Sequence, residues 1–193
     1  MVGRLGVVLL CMLAASNPLS AGPATKAVSR VTACFTLAAP GVPDGYFWVQ
    51  NTEQYKNIAD FRSHLSFILR TPEKQKTVFT YATYDNLVTM YASRYSDRVV
   101  TVWESGSAIW TRIFGVSKNA VHLLLERGTH LPPEFTLNAI LLNTGWVPIG
   151  ERCCTADKTE IWVWTGERYR LAATVPFGQR YDALQKLPPS TWK

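Results

Sequence analysis

Apolar residues recur along this chain with two different periods. Ile58, Phe61, Leu65, Ile68 and Leu69 follow one another mostly at three- and four-residue steps, with Lys56, Asp60, Arg62, Ser63 and Ser66 between them. That spacing predicts an amphipathic helix near residues 56–70. Thr71-Pro72 ends it, because the residue before a proline is pushed out of helical geometry. From Thr77 the period is two: Val78, Thr80, Ala82 and Tyr84 mark one face of a strand, and Phe79, Tyr81 and Thr83 the other.

Turn residues then punctuate short β-prone runs. Tyr46–Val49, Leu87–Tyr91, Arg98–Trp103, Ala108–Phe114, Val121–Leu125, Leu137–Leu142, Glu160–Trp164 and Tyr169–Val175 read as strands. Loops fall at Pro40–Gly45, Asp85-Asn86, Ser96-Asp97, Glu104–Ser107, Gly115–Asn119, Pro132-Pro133 and residues 143–158. Residues 98–125 form a three-stranded meander, and the last hairpin turns at Thr165-Gly166-Glu167. A short helical turn follows from Gln179 to Lys186. The predicted fold is mostly β, an antiparallel meander sheet of blade-like hairpins with one helix near residues 56–70.

The first residues carry a different pattern. Arg4 supplies one positive charge, Leu5–Ala15 is an apolar run, and Ser16–Ala24 is small and turn-like, the three parts of a secretory signal. The apolar run falls well short of the roughly 20 residues that span a bilayer. Residues 1–22 are therefore expected to be cleaved, leaving residues 23–193 as a single β-rich domain with no transmembrane anchor. No Asn-x-Ser/Thr sequon occurs, which fits a bacterial source and a periplasmic or extracellular destination.

That compartment changes the reading of the cysteines. Cys34, Cys153 and Cys154 remain after cleavage, and an oxidising environment favours a disulfide. Cys34 with either late cysteine would close a long loop, and a vicinal Cys153–Cys154 bond is the strained alternative. With histidine only at His64, His122 and His130, and no Cys-x-x-Cys, no metal site is expected, and no cofactor.

The formal net charge of +6 favours anionic partners, but the basic residues are scattered, and the longest grouping is Lys74-Gln75-Lys76. A nucleic-acid partner is not expected. A nucleophile elbow, a His-Glu-x-x-His helix, a P-loop and a Gly-x-Gly-x-x-Gly turn are all absent. His130 and Glu134 have helical spacing, but Pro132-Pro133 between them makes the pair a loop histidine near a loop carboxylate.

Aromatic residues are the unusual chemistry. Trp162 and Trp164 point to the same face of their strand, about 6.6 Å apart, opposite Ile161 and Val163. On an open face they stack on successive sugar rings; on a covered face they are core, and a continuous apolar strand favours burial on both sides. Trp103 and Trp110 flank the Ser105-Gly106 turn and face each other across that hairpin, and Arg112 is expected to reach solvent beside Trp110. The candidate ligand-binding residues are thus Trp110, Arg112, Trp162 and Trp164.

The meander, Pro-Pro-Glu-Phe at 132–135, Leu-Asn-Ala-Ile-Leu-Leu-Asn-Thr-Gly at 137–145, and Ile-Trp-Val-Trp-Thr-Gly-Glu-Arg-Tyr at 161–169 together resemble FG-GAP or VCBS-type repeat segments of secreted bacterial proteins. The resemblance covers residues 98–182 and implies blade-like sheets of the β-propeller kind. It implies no metal here, because the family's calcium loop is Asp-rich and Phe135–Gly145 contains no Asp.

Three functions remain open. The first is a non-enzymatic exported module that binds or scaffolds, in its sharpest form a cell-wall glycan on the aromatic face. The second is an exported hydrolase with a scattered site, and the third a module that pairs with another exported protein.

Overall fold

The computed structural model of the chain describes residues 28–55, 61–92, 97–136, 139–145 and 156–187. The expected signal at residues 1–22 lies outside them, as do Cys153 and Cys154. Cys34 is half-buried, and no disulfide is seen among the described residues.

The chain is mostly β, as its period-two runs predict, in three four-stranded antiparallel sheets with sequential strand order. The first holds β1 (Val28–Ala38), β2 (Tyr46–Tyr55), β3 (Phe61–Arg70) and β4 (Gln75–Thr83). The second holds β5 (Asn86–Ala92), β6 (Arg98–Ser105), β7 (Ala108–Val116) and β8 (Val121–Thr129). The third holds β9 (Glu134–Phe135), β10 (Ala139–Thr144), β11 (Lys158–Trp164) and β12 (Tyr169–Pro176). A 3-10 turn (Phe177–Gln179) leads into α1 (Arg180–Lys186). No helix among the described residues is long and apolar enough to cross a membrane.

The helix expected near residues 56–70 is not formed: residues 61–70 are β3, and residues 56–60 lie outside the described part. Ser63 explains the difference. Phe61, Ser63, Leu65, Phe67 and Leu69 share one face of β3, and Ser63, Leu65 and Phe67 on it are fully buried. Counting Ser63 as a solvent residue breaks the period of two and leaves helical steps between the remaining apolar positions. Its hydroxyl instead donates to Asn51 Oδ1 at 2.9 Å, and Asn51 Nδ2 donates to Thr32 Oγ1 at 2.9 Å. The polar relay crosses β1, β2 and β3, which is how a hydroxyl is buried without losing its hydrogen bond. Ile68, on the opposite face, is also buried, so Phe67-Ile68-Leu69 reads as an unbroken apolar run. Strand geometry prevails because β3 pairs with β2 along its whole length and with β4 on its other side.

The three sheets repeat one plan. In the third, Asn143 on β10 accepts from Thr159 on β11 at 2.8 Å and donates to Glu134 on β9 at 3.1 Å, the same three-strand relay as Thr32–Asn51–Ser63. In the second, the buried hydroxyl of Thr101 donates to the Arg112 carbonyl at 3.1 Å and accepts from Trp103 Nε1 at 2.7 Å. The turn between the third and fourth strands is closed each time by a hydroxyl residue. Thr71, Ser117 and Thr165 each direct both N–H and side-chain O–H at the carbonyl three residues on.

The chain divides into two compact units, Met1–Val99 with Gly115–His122, and Val100–Phe114 with Leu123–Lys193. In the first, Phe35, Val49, Phe67 and Phe79 form one cross-strand row, with the Phe67 and Phe79 rings edge-to-face at 5.9 Å. In the second, β10 and β11 are covered on both faces. Ile140, Leu142 and Trp162 pack against Val100, Ile113 and Leu125. On the other side Ala139, Leu141, Ile161 and Val163 pack under Ala183, Leu184 and Leu187 at the C-terminal helix.

Asn51→Ala is expected to lower stability by about 2 kcal/mol, because it removes two hydrogen bonds and leaves the Ser63 hydroxyl buried without its acceptor. Ser63→Ala should cost about 1 kcal/mol. Urea unfolding midpoints measure both, and equal losses would mean that the relay through Asn51 does not matter.

Candidate functional site

The four candidate residues fall into two groups on opposite sides of the second sheet. Ile113 joins the core cluster that contains Trp162. Its neighbour Arg112 therefore points the other way, together with Trp110 two residues earlier.

Arg112 does not reach solvent as expected. It is 4% exposed. Its guanidinium carbon lies 5.5 Å from the Trp103 ring centre and 5.4 Å from that of Trp110, and its Nε is 2.7 Å from Glu126 Oε1 on β8. Two indole faces and a carboxylate thus hold the charge, an arrangement suited to a planar guanidinium that is weakly hydrated. The expected Trp103–Trp110 pair across the hairpin is accordingly a pair with an arginine between its members. Trp110 also leans on Gly128, where a Cβ would stand 3.4 Å from the indole ring. This group is built into the fold.

Trp162 and Trp164 share a face with Glu160, and the structure adds residues to them that strand spacing alone does not name. Trp162 is 8% exposed and belongs to the core. Its indole N–H donates to Glu160 Oε2 at 2.7 Å, and the guanidinium of Arg127, from β8, lies over its ring at 4.7 Å. Trp164 is half-buried and meets Tyr169 at 5.1 Å between ring centres, tilted by 59°. The β11–β12 register places Tyr169 opposite Trp164 and Leu171 opposite Trp162. Leu171 is 41% exposed. A register shift between Ile161 and Trp162 sets this face, and Gly166, with φ +97°, permits the turn that brings Tyr169 back beside Trp164.

Arg127 thus lies over Trp162, Leu171 pairs with Trp162, and Tyr169 pairs with the half-buried Trp164. Tyr169 was recoverable from sequence, because the strands expected to end at Trp164 and to begin at Tyr169 meet across the four residues 165–168. Arg127 and Leu171 were not, because the first comes from another sheet and the second depends on the bulge.

A second polar cluster lies at α1. The Glu134 carboxylate accepts from Asn143 Nδ2 at 3.1 Å, from Arg180 Nε at 3.1 Å and from the Tyr181 hydroxyl. Burial pushes the Glu134 carboxyl up, but the hydrogen bonds from Tyr181 and Asn143 and the Arg180 charge outweigh it, and the group sits below its ordinary value. His130 is not among these partners: its Nε2 lies 3.1 Å from the Gly145 carbonyl. No three His, Cys, Asp or Glu side chains among the described residues gather so as to hold a metal ion.

Two outcomes follow from this geometry. Arg112→Ala should destabilise the protein by about 2–4 kcal/mol, through lost packing on two indoles and a lost partner for Glu126, read from the urea midpoint. Because its folded-state pKa is lowered, Glu134 contributes stability that is complete above the usual carboxylate value of 4.5 and is lost as pH falls below it. Glu134→Gln should therefore flatten the decline of stability below that pH. An unchanged profile in urea titrations at successive pH values would contradict the assignment.

No protein-family model matches the chain and no curated protein matches it, so the chemistry of the aromatic surface is what speaks for its function.

Proposed function

We propose that the protein is an exported, non-enzymatic module that binds glycan, of the kind found in a cell wall, through the surface of Trp164, Tyr169 and Leu171. The observation that carries this reading is the half-buried Trp164–Tyr169 pair at the end of the last hairpin, beside the exposed Leu171. Aromatic faces on a sheet are preorganised, so stacking a sugar ring on them orders few groups on binding. Trp162 supports the surface from beneath. Trp110 and Arg112, on the other side of the second sheet, serve the framework.

The repeated four-stranded sheets support reading the chain as blade-like repeats of the FG-GAP or VCBS type without their calcium loop. A hydrolase finds less support. Burial raises the Glu134 carboxyl, but its three side-chain donors outweigh that and hold it below its ordinary value, whereas a general acid needs a raised one.

The test is retention of the purified protein on insoluble peptidoglycan and common polysaccharides beside a Trp164→Ala/Tyr169→Ala variant. Loss of a central aromatic contact should weaken binding by about 2 kcal/mol, some 30-fold. The variant should keep its circular dichroism spectrum, because neither ring is fully buried. Absence of retention on every matrix would rule out the glycan reading.

A further inference from the structure

One face of the first sheet is open. Phe47, Val49, Leu65 and Phe67 point to the other face and are fully buried. On the open face Gln50, Thr52 and Ser66 are half-buried at the centre, and Thr36, Gln54 and Thr80 around them are exposed. Strand pairing sets Gln50, Ser66 and Thr80 in one cross-strand row. The four strands carry a single carboxylate, Glu53, which lies on the covered face with Asn51 and accepts from the Tyr55 hydroxyl. The open face therefore holds two arginines, Arg62 and Arg70, and no acid.

Arg70 is the unusual group on this face. Its guanidinium carbon lies 5.0 Å from the Trp48 ring centre. Its Nε is buried without a hydrogen-bond partner, and its two terminal nitrogens are not buried. Among the described residues no hydrogen bond or ion pair engages its side chain, although Asp44 and Glu73 stand in the turns at this end of the sheet. Arg98, Arg112 and Arg180, by contrast, each hold Nε within 2.7–3.1 Å of a carboxylate. A charge partly withdrawn from water without a counter-charge is costly, and an oxyanion from outside would supply what is lacking. The end of a guanidinium takes such a group by two parallel hydrogen bonds. Lys74 and Lys76, exposed in the same hairpin, add to the positive field. Trp48 also donates its N–H to Gln50 Oε1 at 2.8 Å, which leaves the Gln50 amide nitrogen as a donor.

We infer that the open face of the first sheet binds an acidic polysaccharide. The terminal nitrogens of Arg70 grip its carboxylate or sulfate groups, and Gln50, Thr52, Ser66 and Thr80 exchange hydrogen bonds with its hydroxyls. A protein partner would call for an apolar centre, whereas the centre of this face is amide and hydroxyl. A chain of hydroxyls and anions matches both parts of the surface. The site lies in the first unit and Trp164 and Tyr169 in the second, so it does not rest on the reading above.

The experiment measures retention of the purified protein on immobilised polygalacturonate, on its fully methyl-esterified form and on dextran sulfate beside plain dextran. Salt is kept at about 0.15 M, where exposed charges more than about 8 Å apart are screened. Three variants lower the net charge equally. Arg70→Gln and Thr80→Glu do so on the open face, and Lys118→Gln does so in the exposed turn between β7 and β8. The parent should bind at least one acidic polymer about tenfold more tightly than its neutral counterpart. Arg70→Gln and Thr80→Glu should fall to the neutral level, and Lys118→Gln should behave as the parent. Thr80 is exposed, so Thr80→Glu decides the matter if Arg70→Gln fails to fold by circular dichroism. Preference for polygalacturonate, for dextran sulfate or for both identifies the source of the oxyanion.

Equal retention of acidic and neutral polymers by the parent, or full discrimination by a folded Arg70→Gln, would overturn the inference. An equal loss in Lys118→Gln would reduce the effect to net charge and overturn it as well. The Trp164→Ala/Tyr169→Ala variant should keep the preference for the acidic polymer, which separates the two surfaces. Loss of that preference in it would place the acid site elsewhere and sink the inference.

Discussion

Burial of both faces of β10 and β11 is the constraint on which the second unit depends. Leu142 and Trp162 face one apolar layer, and Leu141 and Ile161 face the other, under the helix. Each such side chain contributes about 1.5–3 kcal/mol on burial, so these short strands carry much of the unit's stability. A strand covered on both faces cannot slide by one residue, because the slip would exchange two differently shaped layers. That fixed register is what places Trp164 opposite Tyr169.

Polar residues inside the sheets are organised in the same economical way. A buried asparagine joins three strands twice over, through Thr32–Asn51–Ser63 and through Glu134–Asn143–Thr159. An amide side chain has both a donor and an acceptor, so it can receive from one neighbouring strand and give to the other. In the third sheet the relay continues outward. Glu134 also accepts from Arg180 and Tyr181, and so binds α1 to the sheet edge. A helix of seven residues is too short to be stable by itself. It persists because the apolar side chains of α1 cover Leu141 and Ile161 while its first turn is pinned to a carboxylate.

Arginine–tryptophan contacts occur here at two very different depths. Arg112 lies between Trp103 and Trp110 and pairs with Glu126 at 2.7 Å, so its charge is consumed by the fold. Arg127 lies on Trp162 with its carboxylate neighbour at 3.8 Å and half its side chain in water. The difference is one of burial and satisfaction, not of residue type. Even strand spacing, which puts Trp110 with Arg112 and Trp162 with Trp164, does not say which of these side chains the fold encloses.

Alternation and turn chemistry by themselves determined most of the strands, the meander over residues 98–125, the hairpin at 165–167 and the helical turn before the C-terminus. Those features depend on local backbone preferences and on which residues tolerate a turn. Tertiary structure alone decided the rest. It made 61–70 a strand, because the hydrogen bond that allows Ser63 to be buried comes from Asn51 on another strand. It enclosed Arg112, because a guanidinium between two indoles loses little by leaving water. It brought Arg127 onto Trp162 from a different sheet, and it moved Leu171 to that face through a bulge. Each of these depends on a partner distant in sequence, and no pattern within a single segment carries that information.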